Sequence, residues 1–139
     1  MAADQPDPAS RPRGRILIAD HEPGTTIPLQ YLLEQSGYEV RTAHTGETTL
    51  QFIVDYNPDL VLLEAMIADP DGFEICQMVR ETPQLASTRI LFVSAMTRDI
   101  DVAKGIASGA DGYITKPFSN SEIMDNVRKL LELADGSEE

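Results

Sequence analysis

Ile16-Leu17-Ile18-Ala19-Asp20 is an unbroken apolar run closed by an acid, and the chain repeats that construction. Leu60-Val61-Leu62-Leu63 ends at Glu64, Ile90-Leu91-Phe92-Val93 ends at Ser94, and Tyr113-Ile114-Thr115 ends at Lys116. Continuous runs of this length suit strands buried on both faces, as a parallel sheet requires; a one-sided strand would alternate. Residues 38–43 predict a further strand, mixed in polarity and so nearer an edge.

Between the runs the apolar spacing becomes helical. Leu29, Leu32 and Leu33 mark a first helix, with Pro28 tolerable only in its opening turn. Thr45 precedes Leu50, Ile53 and Val54, and Asn57-Pro58 stops that helix. Phe73, Cys76 and Val79 mark a third, and Ile100, Ala103 and Ile106 a fourth. Ser119-Asn120-Ser121-Glu122 reads as a capping box ahead of Ile123, Val127, Leu130 and Leu131. Strand–helix alternation repeated five times predicts an α/β class, a doubly wound parallel sheet with helices on both sides. In such sheets ligands bind beyond the carboxyl ends of the strands. The residues to examine are therefore Asp20, His21, Glu22, Glu64, Ser94 and Lys116.

The chain has 139 residues, 42% hydrophobic and 24% charged, which allows one packed domain and excludes wholesale disorder. Residues 1–14, with Pro6, Pro8 and Pro12, read as a flexible arm, residues 15–134 as the domain, and residues 135–139 as a fraying acidic tail. Acids outnumber bases 23 to 11, for a net charge of −12, which repels nucleic-acid phosphates and anionic membranes. The single cysteine, Cys76, excludes an internal disulfide and reads as core. No apolar run approaches the roughly 20 residues of a membrane span, and the polar start lacks a signal-peptide core, so a cytoplasmic location is expected.

The segments Ile-Leu-Ile-Ala-Asp20-His-Glu, Pro58-Asp-Leu-Val-Leu-Leu-Glu64, Asp71-Gly72, Phe92-Val-Ser94-Ala95, Gly109-Ala-Asp-Gly-Tyr113 and Lys116-Pro117-Phe118 carry a resemblance. In this order and spacing they resemble the receiver domain of bacterial two-component response regulators, over about residues 15–134. The resemblance implies a flavodoxin-like (βα)5 domain with strand order 2-1-3-4-5. It implies an aspartate closing the third strand that takes a phosphoryl group from a kinase phosphohistidine, and magnesium held by two acids after the first strand. It further implies a hydroxyl and a lysine that contact the phosphoryl oxygens, an aromatic residue on the fifth strand that acts as a switch, and a cis peptide bond before Pro117. By position, Asp20 matches the first metal acid, Ser94 the hydroxyl, Lys116 the lysine and Tyr113 the switch.

The pattern breaks at two of those positions. The acceptor position holds Glu64, whose extra methylene carries the carboxylate roughly 1.3–1.5 Å farther from the backbone. Misplacement by about 1 Å can cost ~100-fold in rate, so Glu64 is expected to be a poor acceptor and a partial imitation of the phosphorylated state. The second metal-acid position holds His21, and magnesium prefers hard oxygen ligands. Asp20 and Glu64 are therefore expected to hold magnesium weakly or not at all, with no other cofactor. A transition-metal set of Asp20, His21 and Glu64 finds no second histidine nearby to complete it, so His21 reads as a neutral loop residue. Glu22 is expected in solvent, and the proline after the acceptor is displaced to Pro70, ahead of the turn at Asp71-Gly72.

These readings favour a degenerate receiver, not an enzyme, acting through contacts with a signalling protein, either a sensor histidine kinase or a downstream effector. The expected surface is the fourth-helix, fifth-strand and fifth-helix face around Lys104, Tyr113 and residues 119–128, which could also serve a homodimer. No DNA-binding segment follows Ala134, so an effect on transcription would need a partner or further chain. A receiver switched by pH, metal or a kinase through the same pocket is the alternative. An enzyme or flavin protein on this fold is disfavoured: Ser94 has no evident partner base, and the loop Asp20-His-Glu-Pro-Gly-Thr-Thr26 carries the wrong charge for a flavin phosphate.

Overall fold

The computed structural model describes residues 14–135; the predicted arm before Gly14 and the tail beyond Asp135 lie outside the described residues. Five strands, β1 (Arg15–Ala19), β2 (Glu39–Ala43), β3 (Leu60–Leu63), β4 (Arg89–Ser94) and β5 (Gly112–Thr115), alternate with five helices. These are α1 (Pro23–Gln35), α2 (Gly46–Tyr56), α3 (Gly72–Arg80), α4 (Asp99–Ala107) and α5 (Asn120–Asp135), with a short 3-10 turn at Pro83–Leu85. The sheet is parallel throughout and ordered β2-β1-β3-β4-β5, which puts the mixed strand β2 at an edge.

Successive strand side chains point to opposite faces, so each unbroken apolar run serves two cores at once. Ile16, Ile18, Leu60, Leu62, Leu91 and Val93 pack with Leu29 and Leu33 of α1 and with Ile123, Val127, Leu130 and Leu131 of α5. Leu17, Ala19, Val61, Leu63, Ile90 and Phe92 pack on the other face with Ile53 of α2 and with Phe73, Ile75, Cys76 and Val79 of α3. Burying a side chain of this size contributes about 1.5–3 kcal/mol, so the pair of layers dominates the stability.

The helix starts are chemically specified. Thr45 Oγ1 accepts from the Thr48 amide at 3.1 Å. Asp71 and Glu74 form a reciprocal box, each carboxylate accepting from the other's amide at 2.9 and 3.1 Å. Ser119 Oγ accepts from the Glu122 amide at 3.0 Å, as its sequence motif predicts. Asn57, in the left-handed region at φ 54°, ends α2.

Two helical expectations need correction. Pro28 lies in the second turn of α1, not the first, because the helix starts at Pro23. Pro28 has no amide hydrogen for the Gly24 carbonyl, and burial of Leu29 and Leu33 against the sheet carries the helix through that defect. In α4 the Ile100, Ala103 and Ile106 side faces outward, with Ile100 67% and Ile106 49% exposed. Asp101 and Gly105 face inward instead. Phe92 and Tyr113 lie so close to Gly105 that only a glycine can face them.

Candidate functional site

Extension of the sheet ladder beyond the strands fixes the site's backbone. The amide of Asp20 donates to the Ala43 carbonyl at 3.0 Å, that of Glu64 to Ala19 at 2.9 Å, and that of Lys116 to Ser94 at 2.9 Å. Four strand ends thereby bring Asp20, Glu64, Ser94 and Lys116 together. They come from positions as far as 96 residues apart in the chain.

Glu64 is 2% exposed, and its longer side chain reaches across the pocket. Oε2 accepts from the Ser94 hydroxyl, in a very short hydrogen bond, and from the Met66 amide at 3.1 Å. Oε1 accepts from the Ala95 amide at 3.4 Å and lies 3.0 Å from Lys116 Nζ. A hydroxyl, two backbone amides and an ammonium therefore converge on one carboxylate. Burial pushes the Glu64 carboxyl upward in pKa, but the bonds from Ser94, Met66 and Lys116 outweigh it and hold the group below its ordinary value. Burial likewise works against charge on Lys116, and its bonds to Asp20 and Glu64 raise it above the ordinary lysine value.

Lys116 also bridges to Asp20, with Nζ 2.8 Å from Oδ2, while Oδ1 accepts from the Glu22 amide at 2.9 Å. Glu22 is mainly solvated, as its sequence position suggests, yet its Oε1 comes within 3.5 Å of Lys116 Nζ. His21 is 49% exposed, with Nδ1 3.9 Å from Asp20 Oδ1. Magnesium wants several oxygen ligands in near-octahedral order. Here the Lys116 ammonium already joins the Asp20 and Glu64 carboxylates, and His21 adds no oxygen. Among the described residues no three His, Cys, Asp or Glu side chains gather into a metal-binding set.

A hydrogen-bonded path leads from this pocket to the fifth strand. Ser94 Oγ, donating to Glu64, accepts from the Met96 amide at 3.0 Å. The Met96 carbonyl accepts from the Tyr113 hydroxyl at 2.6 Å. The Tyr113 ring lies 5.5 Å from that of Phe92 and rests on Gly105, where an added Cβ would meet Tyr113 Cδ2 at 2.8 Å. Beside it, Lys104 Nζ sits 4.5 Å from the Phe73 ring centre.

The loop after Glu64 takes a path its sequence left open. Asp69 sits at φ 64°, and the Asp69-Pro70 and Lys116-Pro117 bonds are both cis, the second as the resemblance implies. The Ala68 carbonyl accepts from the Gly46 amide at 2.7 Å, and a Cβ on Gly46 would stand 2.1 Å from the Pro70 oxygen. Gly46 thus lets this loop dock on the start of α2.

A second histidine shares a cleft with His21, although no three metal-ligating side chains gather there among the described residues. His44, at the end of β2, lines the same cleft as His21, and its Nδ1–H donates to the Asp20 carbonyl at 3.0 Å. The strand-end rule applied to the edge strand would have flagged it. The amides of Met66 and Ala95 were beyond sequence reasoning, since every residue carries one. Gly105, alone inside a helical period, was the available signal for close packing at Tyr113.

Residues 16–128 match the response regulator receiver domain family. The chain is 39% identical over 117 residues to the alkaline phosphatase synthesis transcriptional regulatory protein PhoP of Bacillus subtilis, covering 84% of this chain and 48% of that protein. It is 37% identical over 121 residues to the DNA-binding dual master transcriptional regulator RpaA of Synechocystis, covering 87% and 50%. The chain therefore spans about half the length of the curated relatives it matches. Among solved structures, a response regulator from Chloroflexus aurantiacus superposes with a TM-score of 0.82 at 31% identity, covering 87% of this chain and 98% of that one. The BeF3-activated DrrB receiver domain superposes with a TM-score of 0.77 at 31% identity, covering 86% and 97%.

Proposed function

This chain belongs to the response regulator receiver family of two-component signalling, and from that membership we propose an atypical receiver that works by protein contact without accepting a phosphoryl group. Glu64 stands at the acceptor position, and one observation carries the reading: its carboxylate takes donors from Ser94, Lys116 and the amides of Met66 and Ala95. Those donors surround the space that a phosphoryl group on a shorter acid would fill. The glutamate supplies one negative charge there permanently, where a phosphoryl group would bring nearly two.

The path through Ser94 and Met96 then holds Tyr113 against Gly105. In this reading the output face is constitutively arranged, and Asp20, held by Lys116, recruits magnesium weakly at best. Ser94 is not a nucleophile, because its hydrogen goes to a carboxylate whose lowered pKa makes it a poor general base. Partners are a sensor kinase or a downstream effector, met on the α4–β5–α5 face. Ile100 and Ile106 add exposed apolar surface to that face, which also suits a homodimer. No helix among the described residues is long and apolar enough to cross a membrane.

Intact-mass measurement after incubation with acetyl phosphate and magnesium tests the proposal. The expected spectrum is unchanged. A phosphoryl adduct on the wild-type chain that disappears in Glu64→Ala would overturn it.

A further inference from the structure

Among the described residues no strand lies beyond β2, the outermost strand on its side of the sheet. Its inner side is bonded to β1: the Glu39 amide donates to the Gly14 carbonyl at 2.8 Å, and the Ala43 carbonyl accepts from the Asp20 amide at 3.0 Å. Backbone polar groups alternate in direction along a strand, so residues 39, 41 and 43 face β1 while the amides and carbonyls of Val40 and Thr42 face outward. An edge of this kind is a template on which another chain can pair. Yet Val40 is only 3% exposed, although no strand covers that side.

Arg41 supplies cover there. Its Nη1 donates to the Val40 carbonyl at 3.2 Å, its Nη2 lies 3.5 Å from Glu39 Oε2, and its guanidinium carbon stands 5.0 Å from the centre of the Tyr56 ring. Tyr56 is itself fixed, because its hydroxyl donates to the Glu39 carbonyl at 3.4 Å and Arg15 stands 5.2 Å from its ring centre. Burial and the neighbouring Glu39 push the phenol up to about 12, so it keeps the hydrogen it donates. A long cationic side chain is thus folded back onto an outward carbonyl of its own strand.

We infer that Arg41, seated on Tyr56, is a latch that closes the free edge of β2 against pairing with the same strand of a second copy of this chain. The strand suits itself as a partner. In an antiparallel pair centred on Val40, the two valines exchange their amide and carbonyl bonds, and Glu39 stands opposite Arg41 of the second copy. Those opposite charges favour this register over one centred on Thr42, where Arg41 would face Ala43. With the latch closed, the Val40 carbonyl and the Glu39 carboxylate are both already engaged by Arg41. The latch is independent of Glu64, so its test does not depend on whether that residue accepts a phosphoryl group.

The test is sedimentation velocity of the full chain up to about 1 mM, in about 0.15 M salt to screen the net charge of −12. Arg41→Thr removes the guanidinium and keeps a good strand former. Adding Thr42→Pro removes an outward amide without touching the bonds to β1. Circular dichroism checks each fold, and Arg41→Gln serves where Arg41→Thr does not fold. The expected mass of Arg41→Thr rises with concentration toward twice the wild-type value and returns to that value in the double variant. Hydrogen exchange should show the Val40 and Thr42 amides gaining protection with concentration in Arg41→Thr alone. A folded Arg41→Thr with wild-type mass, association that survives Thr42→Pro, or the same gain of protection in the wild type overturns the latch.

Discussion

The phenol of Tyr113 is bonded to the Met96 carbonyl at 2.6 Å, and the Met96 amide is bonded in turn to Ser94 at 3.0 Å. A side chain on the fifth strand is therefore tied to the group that grips Glu64. Hydrogen bonds of this kind contribute about 0.5–1.5 kcal/mol each, enough to bias a rotamer by several-fold. Tyr113→Phe is expected to lose that bias while keeping the packing on Phe92 and Gly105. Tyrosine and phenylalanine ring signals in the nuclear magnetic resonance spectrum would report it as increased rotamer averaging at position 113.

Gly105→Ala attacks the same arrangement from beneath. The new methyl would stand 2.8 Å from Tyr113 Cδ2 and 3.1 Å from Phe92 Cδ2, too near for either ring to stay in place. A net destabilisation of about 1–3 kcal/mol is expected by urea unfolding, the overpacking outweighing alanine's better helix propensity. Unchanged stability together with unchanged Tyr113 signals would contradict the tight contact.

Removing the charge of Glu64 separates its electrostatic part from its shape. Glu64→Gln leaves Lys116 with Asp20 as its close buried partner and should cost about 1–3 kcal/mol in urea unfolding. Tyr113 should then become mobile, because a neutral amide holds the Ser94 hydroxyl less firmly.

Acid sensitivity follows from the direction of the Glu64 shift. A carboxyl with a folded-state pKa below its ordinary 4.5 contributes stability above that value and loses it as pH falls through the folded value. Lys116, raised above its ordinary 10.5, contributes fully below that value and loses its share as pH climbs through the folded one. Unfolding free energy measured across pH should therefore hold a plateau between these limits as far as this pair is concerned. Glu64→Gln should flatten the acid limb.

Shortening the acid should restore room for chemistry. Glu64→Asp withdraws the carboxylate by roughly 1.3–1.5 Å from Ser94 and Ala95. Paired with His21→Asp, which returns an oxygen ligand beside Asp20, it should gain a phosphoryl group from acetyl phosphate in a magnesium-dependent way. The single Glu64→Asp change should gain less. Failure of the double variant to react, with the fold intact, would mean that features beyond these two positions disable the pocket.

The apolar runs ending at Asp20, Glu64, Ser94 and Lys116 determined the parallel sheet, because a strand buried on both faces must be apolar at every position. The capping box at Ser119 marked where the last helix begins, since its bond lies within a few residues, and the structure adds caps at Thr45 and Asp71. That an acid, Glu64, closes the third apolar run and that His21 follows Asp20 was equally legible, being a matter of residue type. Tertiary structure alone decided where these side chains lie. Whether a longer acid points into solvent or takes the hydrogens of Ser94, Ala95 and Lys116 depends on distances between strand ends far apart in the chain. The same holds for the outward turn of Ile100 and Ile106, since helical spacing reveals a stripe but not which neighbour it meets. His44 joined His21 for the same reason: adjacency across a sheet edge is set by strand order.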